Sequence, residues 1–218
     1  MARGVTGSGA GRIAVAVSGT GSNMRALVAA ARRGELGGEV VFVVADRPCP
    51  ALDWAVEAGI DTALVPGGED GALAAALTDA NPDVVVVAGY MRLVGPTVLA
   101  AFAGRILNTH PSLLPSFPGA HAVRDAIAHG TRVSGATVHL VDESLDGGPI
   151  LAQEAVTVEA GDDEATLHAR ILAVEHRILP RAVALLLAGV VGTDGRRTTI
   201  DVAAAERAMP VPRRALLS

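Results

Sequence analysis

The chain has 218 residues, 50% of them apolar and 19% charged, with a formal net charge of −5, a size suited to one substantial core rather than two full domains. No apolar run approaches the roughly 20 residues of a membrane-spanning helix, no basic run exceeds Arg-Arg, and the lone Cys49 has no disulfide partner and no zinc-ligand neighbours. These features exclude a spanning helix, a nucleic-acid footprint and a disulfide scaffold, and point to a cytoplasmic protein acting on small molecules.

In chain order, Met1 to Arg12 reads as a flexible leader, because the apolar segment behind it is too short for a signal peptide. Ile13 to Val17, Val40 to Ala45, Asp61 to Val65, Val84 to Val87 and Arg105 to Leu107 are β-branched or apolar runs of strand length. Between them lie Ala- and Leu-rich stretches near Met24 to Arg33, Ala51 to Ala58, Ala72 to Ala80 and Thr97 to Ala103. This alternation predicts an α/β, Rossmann-like fold, a mostly parallel central sheet with helices on both faces. Ligands then gather beyond the carboxyl ends of the strands, where Ser18 to Asn23, Gly89 to Leu93 and Asn108 to Gly119 fall.

A helix near Ala122 to His129 follows. Ser134 to Val141 and Ile150 to Val158 read as extended strands flanking the Asp142 to Gly148 loop, a β-ribbon expected over the open end of the sheet. A long carboxyl-terminal helix runs from Gly161-Asp162-Asp163-Glu164 to about Leu187, bent or interrupted at Pro180. Beyond Gly189 the chain is turn-rich, and Met209-Pro210-Val211-Pro212 should be irregular. The organisation expected is a leader over 1–12, one domain over 13–188 and an extension over 189–218.

Ser18-Gly19-Thr20-Gly21-Ser22-Asn23 follows the first strand and opens the first helix, so its backbone N–H groups suit a single phosphate. Neither a dinucleotide fingerprint nor a P-loop is met: Met24 stands where a glycine is needed, and all eighteen basic residues are arginine. The missing lysine also excludes Schiff-base chemistry. Asp46, ending the second strand, mimics the ribose-binding acid of dehydrogenases and reads as a decoy.

Asn108-Thr109-His110-Pro111-Ser112-Leu113-Leu114-Pro115, answered by Leu145-Asp146-Gly147-Gly148-Pro149, holds the most chemistry. An amide N–H can hold a developing oxyanion, a histidine can move protons near neutral pH, and an aspartate can orient and charge that histidine. His121 is read either as lining the cleft or as entering a helix, and His139 either as facing the cleft or as a structural histidine. His129, His168 and His176 are assigned to surface or helix packing, and no histidine has the partners a metal site needs, so no metal is expected.

Together, Ser18 to Asn23, Ala88-Gly89-Tyr90-Met91-Arg92, Asn108 to Pro115 with Phe117-Pro118-Gly119, and Leu145 to Pro149 resemble, in order and spacing, the glycinamide ribonucleotide formyltransferases of purine synthesis. The resemblance implies transfer of a formyl group from 10-formyltetrahydrofolate, as co-substrate, to the amine of glycinamide ribonucleotide. By it, Asn108, His110 and Asp146 match catalytic positions. Gly21, Ser22, Asn23, Pro111, Gly119, Leu172, Ala173, Val174 and Glu175 match the ribonucleotide site. Met91, Arg92, Leu93, Val94, Asn108, Asp142, Glu143, Ser144, Leu145 and Asp146 match the folate site.

One departure stands out. The resemblance leads one to expect an arginine on the turn after the third strand, and here that turn reads Pro66-Gly67-Gly68-Glu69-Asp70-Gly71. Arg25 is near enough in sequence to substitute. The alternatives are a formyltetrahydrofolate deformylase, a methionyl-tRNA formyltransferase and a noncatalytic ribonucleotide-binding module, and the size is compatible with a homodimer.

Overall fold

The computed structural model describes residues 10–208. Residues 1–9 of the expected leader and the irregular Met209-Pro210-Val211-Pro212 segment lie outside the described residues, while Gly11 and Arg12, assigned to the leader, already belong to the first strand. Strands β1 (Gly11–Val17), β2 (Gly38–Ala45), β3 (Asp61–Leu64), β4 (Val84–Val87) and β5 (Ile106–His110) alternate with helices α1 (Ser22–Arg32), α2 (Pro50–Glu57), α3 (Asp70–Ala80) and α4 (Pro96–Ala101). β4 is four valines buried at every position, the composition of a strand covered on both faces. Proline at the start of α2 and of α4 supplies a preset φ where no intrahelical N–H bond is lost.

The five strands pair in parallel in the order β3-β2-β1-β4-β5. The chain runs outward from β1 through β2 to β3 and then crosses back past β1 to β4, a reversal of strand order that opens a crevice at the carboxyl ends of β1 and β4. The Ser18 N–H donates to Gly89 O at 3.2 Å, and the Met91 N–H to Ser18 Oγ at 2.8 Å, so the loops on the two sides of this crevice are tied together.

Two apolar cores result, one per face. One gathers Met24 and Leu27 of α1, Ala51 and Ala55 of α2, and a long helix; the other gathers Leu73 and Leu77 of α3 with Val98 of α4. Each large side chain so buried contributes about 1.5–3 kcal/mol of transfer free energy. The long helix, α6 (Glu164–Leu187), starts with a capping box in which Asp163 accepts from Thr166 N and the Thr166 hydroxyl accepts from Asp163 N. It is not interrupted at Pro180, which is buried within a continuous helix; core packing along both flanks outweighs the loss of one backbone hydrogen bond.

The ribbon lies elsewhere than expected. After α5 (Ala122–His129), β6 (Val133–Leu140) pairs antiparallel with β5, and β7 (Ile150–Thr157) with β6, so both extend the same seven-stranded sheet rather than covering its open end. The edge of β5 carried unpaired backbone groups, and β6 satisfies them. Beyond residue 189 the chain is more regular than its composition suggested. β8 (Val191–Asp194) and β9 (Arg197–Ile200) form a hairpin around Gly195, φ 56°, before α7 (Val202–Ala208). Asp194-Gly195 between alternating apolar and polar residues was the available signal. Thr198 Oγ1 donates to Ile150 O at 2.6 Å, anchoring the hairpin beside β7.

Candidate active site

A cavity of about 710 Å³ opens at the carboxyl ends of β1, β4 and β5, within the range of small-molecule sites. Its floor is made by the segments flagged in the sequence. Gly21, Ser22 and Asn23 line it, as do Met91, Arg92, Leu93, Val94, Asn108, His110, Pro111, Gly119, and Asp142, Glu143, Ser144, Leu145 and Asp146. Gly21 precedes α1 with φ 74°, and a Cβ there would lie 3.2 Å from the Ala51 Cα, so glycine is needed both for its conformation and for the close approach of α2.

Strand alternation puts Asn108 and His110 on one face of β5 and Thr109 on the other. Thr109 Oγ1 donates to Glu175 Oε1 at 3.1 Å, and Asn23 Nδ2 donates to Glu175 Oε2 at 2.8 Å. The buried Glu175 thus links α6 to both β5 and the glycine loop. Asn23 Oδ1 is buried without a hydrogen-bond partner among the described residues.

Asp146 enters from the 142–148 loop with φ 50°, a left-handed conformation that aspartate tolerates better than most residues. Gly119 N donates to its Oδ2 at 2.7 Å, His110 Nδ1 lies 3.5 Å from the same oxygen, and Asn108 Nδ2 lies 3.4 Å from Oδ1. The opposite nitrogen of His110, Nε2, faces Phe117 O at 2.8 Å. Both ring nitrogens therefore meet acceptors, and only the imidazolium donates to both.

The fourth member is His139, for which the sequence left two readings open. Register pairs His139 with Asn108 across β5 and β6, and Asn108 Nδ2 lies 3.2 Å from His139 Nε2. His139 Nδ1 faces the Leu140 carbonyl at 2.9 Å, so it carries the hydrogen and Nε2 accepts from the Asn108 amide. Burial pushes the His139 imidazole below its ordinary value, despite the Leu140 carbonyl and the Asp146 charge, so it stays neutral near pH 7. A neutral His139 fixes which end of the Asn108 amide faces the cavity. No pattern in the sequence specifies that pairing.

The Asp142 and Asp146 ends of the loop are braced by glycine. A Cβ on Gly148 would collide with the Leu140 carbonyl oxygen, which is backbone and cannot rotate away. Gly148→Ala is expected to shift the loop, lowering stability by about 1–3 kcal/mol and turnover along with it. Denaturant unfolding with parallel rate measurements checks this, and an unchanged midpoint would contradict it.

Two expected residues do not reach the cavity. Ala173 is exposed and Val174 packs in the core, whereas Leu172 and Glu175 line the cavity. A helix turns about 100° per residue, so four consecutive positions cannot share one face. The face that does line it runs through Glu164, His168, Leu172 and Glu175. His168, assigned to surface packing, stands on this wall. His121 lines the cavity and also precedes α5, so both readings of it hold.

Asp46 is not an isolated mimic of a ribose ligand. Its carboxylate is buried against two guanidinium groups, Arg47 Nη2 at 2.9 Å and Arg92 Nε at 3.1 Å. Burial works against its charge, but hydrogen bonds from Arg47, Ser18 and Arg92 outweigh it and hold the carboxyl down at about 2. A folded value below the unfolded one gives stabilisation that is complete above the ordinary carboxylate range and lost as pH falls from about 4 to about 2. Wild type and Asp46→Asn should differ by about 2 kcal/mol in unfolding free energy at pH 7 and converge near pH 2; parallel denaturation curves across that range would contradict the ion pairing.

The acids that replace the expected arginine work as helix caps. Glu69 accepts from Gly71 N and Ala72 N at the start of α3, and Asp70 accepts from Thr97 N and Val98 N at the start of α4. Arg25 does not substitute in the cavity wall. Its guanidinium lies over the Trp54 ring at 5.5 Å and donates to Thr20 O.

Among the described residues, no group of three or more His, Cys, Asp or Glu side chains is arranged to hold a metal ion, and no helix is long and apolar enough to cross a membrane. The family model described as formyl transferase matches residues 11–183. A phosphoribosylglycinamide formyltransferase of Mycobacterium tuberculosis is 49% identical over 202 residues, covering 87% of this chain and 94% of the relative. The crystal structure of glycinamide ribonucleotide transformylase 1 from Symbiobacterium toebii superposes with a TM-score of 0.85 at 45% identity, over 87% of this chain and 93% of that one. A formyltetrahydrofolate deformylase from Pseudomonas syringae shares the fold with a TM-score of 0.82 at 27% identity, over 88% of this chain and 66% of that one.

Proposed function

The chain belongs to the formyl transferase family, and from that premise we infer that it transfers the formyl group of 10-formyltetrahydrofolate to the amine of N1-(5-phosphoribosyl)glycinamide, giving the N-formyl product and tetrahydrofolate in purine biosynthesis. The observation that carries this reading is the convergence of Asn108 and His110 of β5 with Asp146, from 36 to 38 residues further along the chain, on one cavity wall. Ligand binding alone does not require that set. Transfer of a formyl group does, because the step places negative charge on an oxygen and positive charge on a nitrogen together.

10-Formyltetrahydrofolate supplies the electrophilic formyl carbon. Asn108 donates an N–H to the formyl oxygen as charge develops there. Its bond to His139 is the shorter, at 3.2 Å, and its 3.4 Å contact with Asp146 is the one an oxyanion would draw away. The His110 imidazolium serves as the second donor through Nδ1, whose 3.5 Å contact with Asp146 is the longer of its two and the one an oxyanion would draw away. Asp146 balances that charge and accepts, directly or through water, the proton the attacking amine sheds, while the departing folate nitrogen takes up a proton as the product amide forms.

The remaining wall divides between the substrates. Gly21, Ser22 and Asn23 suit the ribonucleotide phosphate through backbone N–H groups, with Glu175 reading the ribose or glycinamide end. Met91 and Leu93, 61% and 76% exposed, and Leu145 at 59%, give an apolar rim suited to the planar folate ring. We place the reaction in the cytoplasm, where the free, buried Cys49 stays reduced.

An absorbance assay of formyl-folate consumption, with and without glycinamide ribonucleotide, tests the assignment. Consumption that requires the amine is the expected result. Consumption without it would make the chain a deformylase, and none at all would leave a binding module.

A further inference from the structure

We propose that Arg196, at the tip of the β8–β9 hairpin, is a positioning residue that holds the 142–148 loop in the place from which it receives the folate co-substrate. The proposal deepens the folate reading of that loop and rests on it for its kinetic readout alone. A Cβ added at Gly147 would stand 3.5 Å from Arg196 Nη2. The guanidinium therefore lies against the bare face of Gly147, the residue that follows Asp146.

The loop calls for such support. Asp142, Glu143 and Asp146 all line the cavity, and three carboxylates so close in sequence repel one another. At one end the loop is tied to itself, with Ser144 N donating to Asp142 Oδ1 at 2.8 Å and the Ser144 hydroxyl donating to the same oxygen. At the other end Gly119 N holds Asp146, and Arg196 meets Gly147 from the hairpin.

The hairpin is a rooted arm. Val191 and Ile200 at its base pack against the core that buries Ala205 of α7, and Asp201 N donates to Val190 O at 2.9 Å. The Thr198 bond to Ile150 O fixes β9 close to the tip. Register pairs Asp194 with Arg197, so Gly195 and Arg196 form a two-residue turn, with Gly195 supplying the positive φ at its first position. Base and turn together carry an exposed guanidinium to a segment rich in negative charge. An attraction between exposed charges is modest and screened by salt, which suits a residue that biases a loop rather than locking it.

Hydrogen exchange of the 142–148 amides, in wild type and Arg196→Ala, tests this without turnover. Exchange in the loop is expected to rise about two- to fivefold, the range of a solvent-screened charge interaction, while the sheet amides keep wild-type protection. In steady-state assays the same variant should raise KM for 10-formyltetrahydrofolate by about the same factor, leaving kcat and the ribonucleotide KM in place. Arg197→Ala removes the same charge one residue further on and should match wild type in both measurements. Unchanged loop exchange in Arg196→Ala overturns the proposal, as does faster exchange with an unchanged folate KM. An equal effect of Arg197→Ala, or lost protection throughout the sheet, overturns it too. If wild type shows no amine-dependent turnover, the formyl-transfer reading fails, and exchange still decides whether Arg196 holds the loop.

Discussion

Asp146→Asn should lower kcat by about 10²–10⁴-fold without altering the fold. The substitution preserves volume, and the side-chain oxygen still accepts from the Gly119 N–H that now reaches Asp146 Oδ2 at 2.7 Å. What disappears is the negative charge 3.5 Å from His110 Nδ1 and 3.8 Å from His139 Nε2. An asparagine at this position cannot accept the amine proton and cannot support an imidazolium across from it. Steady-state rates at saturating levels of both substrates, with a thermal melt of the same preparation, separate chemistry from folding. Turnover at the wild-type rate would remove Asp146 from the scheme, and a collapsed melt would move its role to structure.

Asn108→Ala is expected to cost about 10²–10³-fold in kcat, the scale on which single oxyanion donors act. Because its contribution grows only as charge develops on the formyl oxygen, kcat should fall while KM for both substrates changes little. The variant also leaves His139 Nε2 facing an emptied position, losing its 3.2 Å contact. Some loss of stability should therefore accompany the loss of rate, because a buried acceptor loses its donor. A variant with a raised KM and an unchanged kcat would assign Asn108 to ground-state binding instead.

The α/β class and its five parallel strands were legible because each strand is a compact apolar run and each helix an Ala- and Leu-rich one, periodicities carried within a few residues of chain. The Asn108, His110 and Asp146 set was legible from residue chemistry and from the resemblance, and the structure brings the three together in one cavity. Local pattern failed at β6 and β7, whose strand character was plain but whose place was not. An apolar strand does not state which edge it joins. His139 stayed ambiguous for the same reason, since its importance lies in standing opposite Asn108 in an antiparallel register. The resemblance matched Ala173 and Val174 to the ribonucleotide site along with Leu172 and Glu175, and helical rotation sends them to other faces.

Asp46 shows the remaining gap. As a lone acid after β2 it resembled a nucleotide ligand, and Arg92 resembled a folate contact. Only folding sets Arg92, 46 positions away, at 3.1 Å from Asp46. The amino-acid order alone determined which segments are strands, which are helices, and which side chains are capable of acid–base work, because those properties depend on neighbours within one or two turns of chain. The tertiary structure decided which of these groups touch, how the Asn108 amide is oriented and where positive charge collects, because hydrogen bonds and ion pairs depend on distances of about 3 Å that separations of 31 to 152 residues leave unspecified.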